Sequence, residues 1–452
     1  MQTENYIIAI DLGTYQSRIV AGYPDETRPY GLNIVYAESQ RSQGIKRGAV
    51  YNKEDANKVV RNLITGAEKK VNVGSKRKTS AATQPQRTVC VNIGGYNFLT
   101  TIIGEKIDLN DQKVTQGTLK LIEDKARSNQ QQYSEEDSVT RLVSLGYSID
   151  NEPFTDDVIG RSGSMFEARF LCFKSKRKTL ELINSAFPPN SQPKIYYTST
   201  FARAAVELQP TLKRDGVVFV DLGSGSTGVA VFHRDALRYE VEIPIGSDTI
   251  TNDIASALSI TTSNAEFVKQ RLGIIDDAMS RRDFEVEMPD DNKITFDGSF
   301  YNFVVKARVE ELTAYIVTAI GEAVKRGCRK QDLRIVLTGG GAQLKNIGTI
   351  IKEKTEMEVV EVQRPEIAPD IDSVSFAAAV GMASMTARAL LSEIHTSQLP
   401  IDEPQTADNE PEQPAEEPMA EEETVTTKTK TKKRHWYDPL RGFAADLFND
   451  DK

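Results

Sequence analysis

Asp11 and Asp221 stand at equivalent places in two similar stretches, each a carboxylate followed by leucine, glycine and hydroxyl residues. In the first, Ile7-Ile8-Ala9-Ile10 runs into Asp11-Leu12-Gly13-Thr14. In the second, Val217-Val218-Phe219-Val220 runs into Asp221-Leu222-Gly223-Ser224-Gly225-Ser226-Thr227. Glycine lets a backbone approach an anion closely, and the exposed amides of such a turn donate to phosphate oxygens. The hydroxyls of Thr14, Ser226 and Thr227 add further donors. A carboxylate beside those donors would repel phosphate directly, so Asp11 and Asp221 are expected to act through the water of a hydrated Mg²⁺. One such turn alone reads as an ordinary tight hairpin. Two of them, with a third turn, Gly339-Gly340-Gly341, after the apolar run Ile335-Val336-Leu337, point instead to a nucleotide clamp.

The elements that must hold these turns are legible in outline. Apolar residues resume after each of the first two turns, from Ser17 to Gly22 and from Val229 to Phe232, so each turn joins two strands. With 452 residues and 39% apolar content the chain can bury more than one core, and two large lobes are expected. Cys90, Cys172 and Cys328 lie far apart, and His233, His395 and His435 join them in no ligand-like spacing. Neither structural zinc nor a disulfide framework is expected. The opening Met1-Gln2-Thr3-Glu4-Asn5 lacks the basic region of a signal peptide, and no apolar run approaches the ~20 residues that span a bilayer. The body is therefore expected in the cytoplasm.

The net charge of −9 is segregated. No lysine or arginine occurs from Ala389 to Thr427, where acidic residues are frequent and five prolines interrupt the chain. Such a segment cannot bury enough to fold and repels itself into an extended tether, expected over 396–427. The sign then reverses at Lys428, Lys430, Lys432, Lys433 and Arg434. Asp438-Pro439 is a helix-start signal, after which Leu440, Phe443, Ala444, Leu447 and Phe448 share one helical face, with Trp436 and Tyr437 at the entry. Two partners suit that face, the protein's own body and an anionic bilayer. The tether and the basic residues favour the bilayer, at about 1 kcal/mol per basic residue near an anionic surface. Asp446, Asp450 and Asp451 oppose the attraction, so reversible binding is expected. No nucleic-acid partner is expected.

A nucleotide clamp at one end and a membrane-lying helix at the other resemble FtsA, the actin-related bacterial division proteins that tether FtsZ filaments to the membrane. Beyond the three turns, the resemblance is carried by Gly44-Ile45-Lys46-Arg47-Gly48, Pro244-Ile245-Gly246, Ile250-Thr251-Asn252-Asp253-Ile254-Ala255, Ala265-Glu266-Phe267-Val268-Lys269, Ala307-Arg308-Val309-Glu310-Glu311 and Ala379-Val380-Gly381. It covers nearly the whole chain and implies an α/β, two-lobed actin/Hsp70-like ATPase fold. Its subdomains would be 1A (1–87, 174–213 and a closing helix at 373–395), 1C (88–173), 2A (214–258 and 334–372) and 2B (259–333), followed by the linker and the 428–452 membrane segment. Subdomain 1C would mediate polymer contacts.

The resemblance also implies ATP and Mg²⁺ in the interlobe cleft, with Glu266 and Lys269 on the ribose and adenine side and Gly339–Gly341 covering the adenosine. By spacing alone Glu266 and Lys269 read as a surface ion pair on one helical face. The FtsZ C-terminal peptide would dock on subdomain 2B near Arg308 and Glu311, which by spacing alone read as a solvated charged face. They lie in an amphipathic helix expected over Tyr301–Lys325, with Val304, Val305, Val309, Leu312 and Ile316 toward the core. Further partners implied are the protein itself, as an actin-like protofilament, and later division proteins, all on the cytoplasmic side of the inner membrane at the division septum.

The second turn departs from the family pattern, which continues Gly-Gly-Gly-Thr-Thr and then Asp or Glu. Here Gly228 takes the acidic place and Ser224 adds bulk. Binding is therefore expected to survive better than hydrolysis, which is expected to be slow or absent, and no catalytic residue is assigned. Other readings of the clamp are a small-molecule kinase or phosphatase of the same superfamily and a PilM-like assembly ATPase. A kinase needs a positioned base, and none is evident; a PilM-like partner does not predict the tether and tail.

Overall fold

The computed structural model describes residues 5–74, 87–94, 98–132, 136–289, 292–362, 367 and 371–398. The linker expected over 396–427 begins inside a helix that continues to Gln398; its remainder, the residues Trp436, Leu440, Phe443, Leu447 and Phe448 expected to face a membrane, and a basic stretch, Ser75-Lys76-Arg77-Lys78-Thr79-Ser80, lie outside them.

The chain begins as an antiparallel meander, β1 (Tyr6–Leu12), β2 (Gln16–Pro24) and β3 (Leu32–Arg41), with the first glycine turn between β1 and β2. A small hairpin, β4 (Ile45–Lys46) and β5 (Ala49–Val50), leads to helix α1 (Lys53–Gly74) and then to β6 (Arg87–Ile93), which pairs parallel to β1. A separate small sheet follows: β7 (Phe98–Asp108), α2 (Gln116–Gln132), β8 (Asp137–Ile149) and β9 (Met165–Lys176), in strand order β7-β9-β8. Helix α3 (Arg177–Ser185) returns the chain to β10 (Ile195–Thr198), parallel to β6. Residues 88–93, expected to open the inserted subdomain, thus belong by their pairing to the first sheet. The apolar run that suggested an insertion boundary is apolar because a central parallel strand is covered on both faces.

Helices α4 (Ser199–Glu207) and α5 (Pro210–Asp215) lead to a second sheet, which opens with the meander β11 (Val217–Leu222), β12 (Thr227–His233) and β13 (Ala236–Ile243). Then come α6 (Ser247–Leu258), α7 (Thr262–Leu272), α8 (Asp277–Ser280), the hairpin β14 (Asp283–Glu287) and β15 (Lys293–Asp297), and the long α9 (Gly298–Lys325). The sheet is completed by β16 (Arg334–Thr338), parallel to β11, and, after α10 (Ile347–Thr355), by β17 (Val359–Val360). Helix α11 (Ser373–Gln398) closes the described chain.

The two five-stranded sheets repeat one plan, β3-β2-β1-β6-β10 and β13-β12-β11-β16-β17, a meander followed by two parallel strands. Each leading strand is covered on both faces. Ile8 and Ile10 of β1 meet Val59, Val60 and Leu63 of α1, while Ile7 and Ala9 meet Ala379, Val380 and Ala383 of α11. Val218 and Val220 of β11 join the core with Val305, Val309 and Leu312 of α9, while Val217 and Phe219 pack with Ala204 of α4. This two-residue alternation is what a pleated strand imposes. Of the expected core positions on α9, Val305, Val309, Leu312 and Ile316 are buried and Val304 is half-buried. Among the described residues α11 alone is long and apolar enough to cross a membrane. Its residues Ala377 to Ala387 are instead mostly buried against the first sheet and α4, where a Cβ on Gly381 would fall 1.9 Å from the Ala202 carbonyl oxygen.

Candidate functional site

The two hairpin turns face each other across one cleft of about 1120 Å³, lined by both turns, the third glycine turn and α7. Their approach is close: a Cβ on Gly225 would lie 2.3 Å from Thr14 Oγ1. The first turn is braced by the β4–β5 hairpin, whose Arg47 amide donates to Thr14 Oγ1 at 2.8 Å. Gly339 has φ +86°, the left-handed region that favours glycine, and a Cβ there would strike Asp221 Oδ1 at 2.5 Å. The third turn therefore lies directly on the second hairpin, as the parallel pairing of β16 with β11 requires.

Both carboxylates reach the cleft, and each meets an arginine that the sequence pattern did not single out. Asp11 lies 3.8 Å from Arg18 Nη1, and Ser199 Oγ donates to its Oδ1 at 3.4 Å. Burial pushes Asp11 above the usual carboxylate range, with Arg18 and Arg203 opposing. Asp221 accepts from Arg203 Nε at 3.1 Å, and Arg203 also bonds Glu207 at 3.3 Å and the Val374 carbonyl at 2.8 Å. Burial of Arg203 disfavours its charge, but Asp221, Glu207 and Asp11 outweigh that and hold its pKa above the ordinary value. Arg203 thereby ties α4, the second hairpin and α11 together. Asn92 completes the support: it accepts from the Leu12 amide at 2.6 Å and donates to Ser199 Oγ at 2.8 Å.

Two observations fit these turns to a phosphate ligand. Ser224 Oγ and Arg18 Nε are buried without a hydrogen-bond partner, and both residues line the cleft. The glycines sit where side chains could not, since a Cβ on Gly13 would meet the Gln16 carbonyl at 2.5 Å and one on Gly246 the Ser224 carbonyl at 2.3 Å. For Mg²⁺ the only carboxylates of the two turns are Asp11 and Asp221, and no group of three acidic, His or Cys ligands exists among the described residues. That suits an ion held through water and phosphate better than a site made of protein ligands.

Of the expected hydroxyls, Thr14 and Ser226 line the cleft, but Thr227 does not. It is the first residue of β12, fully buried, and donates to the Ile245 carbonyl at 2.7 Å, so its side chain is structural. Glu266 and Lys269 share a face of α7, but the surface ion-pair reading is corrected by burial. Lys269 is 5% exposed, and its Nζ bonds Glu266 Oε2 at 2.6 Å, Thr251 Oγ1 at 2.8 Å and the Ser247 carbonyl at 3.2 Å. Although burial opposes it, hydrogen bonds that Glu266 accepts from Lys269, Thr251 and Gln270, together with the Lys269 charge, hold its carboxyl below the usual range. Arg308 and Glu311 lie outside the cleft on α9. Arg308 grips Asp253 of α6 through two nitrogens, Nε at 2.6 Å and Nη2 at 3.2 Å, and also pairs with Glu311.

On β13, Glu240 is 2% exposed. Burial pushes its carboxyl up to about 8 from the ordinary 4.5; Glu242 adds to this, while Thr198 and Arg141 oppose it. Between those two values the native chain holds a proton that the unfolded chain has released, so stability falls as pH rises from 4.5 to 8 and levels off above. Glu240→Gln is expected to raise stability by roughly 2–4 kcal/mol at pH 8.5 and to leave it unchanged at pH 4.5, read by denaturant unfolding at both pH values. An equal effect at both would contradict the assignment.

The duplicated sheets, their facing turns and the shared cleft define the class: the fold is the two-lobed actin-like one. Among solved structures, a PilM-PilN type IV pilus biogenesis complex matches it with a TM-score of 0.56 at 14% identity, covering 86% of this chain and 99% of that one. The family model for FtsA, described as cell division protein FtsA, matches residues 218–381. Cell division protein FtsA of Pseudomonas aeruginosa is 26% identical over 368 residues, covering 79% of this chain and 83% of the relative. That of Bacillus subtilis is 22% identical over 391 residues, with 83% and 84% covered. Over most of its length the chain is similar to the FtsA proteins.

Proposed function

We propose that this protein is an ATP-binding, actin-like adaptor of the bacterial division machinery, which polymerises, anchors FtsZ filaments to the inner face of the cytoplasmic membrane and helps recruit later division proteins. The observation that carries the nucleotide part is the pair of opposed turns, with Ser224 Oγ and Arg18 Nε buried beside them and unpartnered. In this reading the amides of Gly13, Thr14 and Ser224–Ser226 receive the phosphates, while the expected contribution of Gly223 is limited to backbone approach because its amide donates to the Ser226 carbonyl at 3.0 Å within the turn. Asp11 and Asp221 hold water of an Mg²⁺ that neutralises phosphate charge. Lys269 and Glu266 face the nucleoside from α7, and Gly339–Gly341 cover it. Because the turns belong to different sheets, a nucleotide bound to both favours the closed arrangement.

The rest follows from the FtsA relationship together with the tail sequence. Subdomain 1C, centred on the β7-β9-β8 sheet, is the polymer-contact element, and the α9 face with Arg308 and Glu311 receives the FtsZ C-terminal peptide. Trp436, Leu440, Phe443, Leu447 and Phe448 lie on the membrane. Co-sedimentation of the full chain with anionic liposomes, in ATP and Mg²⁺, tests the adaptor reading. The intact chain is expected to pellet, and both truncation after Thr427 and Phe443→Glu are expected to reduce pelleting at least about tenfold, the effect of losing a buried aromatic and gaining a charge at the interface. An intact chain that stays in solution would contradict the tether.

A further inference from the structure

The second hairpin carries no carboxylate beyond Asp221, yet the structure brings one to it from the neighbouring strand. Gly228 is paired directly with Glu242 across β12 and β13. Paired residues project from the same face of a sheet, so Glu242 stands beside Gly228 on the face where Thr200 packs against the glycine. A side chain could not return to 228, because a Cβ there would lie 1.7 Å from Thr200 Oγ1. The Glu242 carboxylate instead accepts from Ser226 Oγ within the second turn and lines the cleft. It also reaches the opposite sheet, where a Cβ on Gly94 would fall 3.6 Å from its Oε1.

An ionised carboxylate only accepts hydrogen bonds, so it repels phosphate and attracts water. Placed beside a phosphate turn, it fits the place of an attacking water rather than that of the anion. We infer that Glu242 is the catalytic residue of ATP hydrolysis in this cleft, orienting water toward the terminal phosphate; the inference rests on the ATP-binding reading above. The water oxygen bonds to the γ-phosphorus as the bond from that phosphorus to the β-bridging oxygen breaks, and the electron pair leaves with ADP. The water proton passes to the Glu242 carboxylate, which returns it to solvent. Ser226 is a positioning residue that holds Glu242 by its hydroxyl.

The test compares the full chain with Glu242→Gln, which keeps the shape and the Ser226 contact. Phosphate release in ATP and Mg²⁺ is measured from pH 5 to 9, beside affinity for a fluorescent ATP analogue. Expected are release lowered about 100-fold, affinity kept within about threefold, and an acid limb of the pH profile that is present in the parent and absent in the variant. Equal release by the two proteins would overturn the inference. So would equal losses of release and affinity, which would mark Glu242 as structural. A parent that binds the analogue but releases no phosphate above buffer would also overturn it, leaving the ATP-binding reading intact; a parent that fails to bind the analogue would overturn both.

Discussion

Gly225→Val is expected to weaken ATP binding about 100-fold, equivalent to ~3 kcal/mol, while leaving the fold in place. The backbone of Gly225 does not need glycine's freedom, since its φ is not positive. What it needs is space, because a Cβ would come within 2.3 Å of Thr14 Oγ1 and 3.0 Å of Thr14 Cβ. Valine therefore wedges the two turns apart, so that amides from one sheet no longer reach phosphate held by the other. Binding of a fluorescent ATP analogue reads the loss, and the thermal midpoint reports whether folding survives. The double variant Gly225→Ala/Thr14→Gly, which clears the clash from the other side but also removes the Thr14 hydroxyl that accepts from the Arg47 amide, is expected to recover part of the affinity. Unchanged affinity in Gly225→Val would mean that the turns do not act together.

Arg203→Ala is expected to cost about 3–5 kcal/mol of stability, the range for removing one partner of a buried ion pair. Arg203 is 7% exposed and Glu207 3%, so truncation removes the guanidinium from buried Glu207 and from Asp221 at the wall of the cleft. The Val374 carbonyl loses its donor as well, freeing α11 from α4 at that point. Arg203→Lys keeps the charge but cannot serve Asp221, Glu207 and Val374 together, so it is expected to restore less than half of the loss. Denaturant midpoints compare the three proteins, and a cost below about 1 kcal/mol for Arg203→Ala would show the network to be marginal.

Much of the scaffold was legible because its signals are local. An apolar strand, an Asp-Leu-Gly turn and a resumed strand identify a hairpin without knowledge of anything distant, and both were found where expected. Periodicity likewise placed the core face of α9. The supporting residues were hidden because their meaning is non-local. Arg203 lies 18 residues before the Asp221 it pairs with, Asn92 lies 80 residues beyond the Leu12 amide it accepts, and Glu242 gains its place from strand register. A weak signal did exist for Asn92, an amide inside the otherwise apolar run Val89–Ile93. Thr227 was misread because a hydroxyl next to a turn can face either the ligand or the sheet, and register decides which. Lys269 read as a surface charge because spacing along one helix does not show that α6 covers it.

Every role proposed for the cleft requires nucleotide to bind there. Photolabelling of the full chain with 8-azido-ATP and Mg²⁺, followed by peptide mapping, tests that directly. The predicted label is displaced by ATP and falls on peptides of α7 around Lys269 or on the turn from Gly339 to Leu344, which border the proposed adenosine position. ATP-displaceable label confined to peptides away from the cleft, or no displaceable label, would contradict the assignment of the cleft as the nucleotide site.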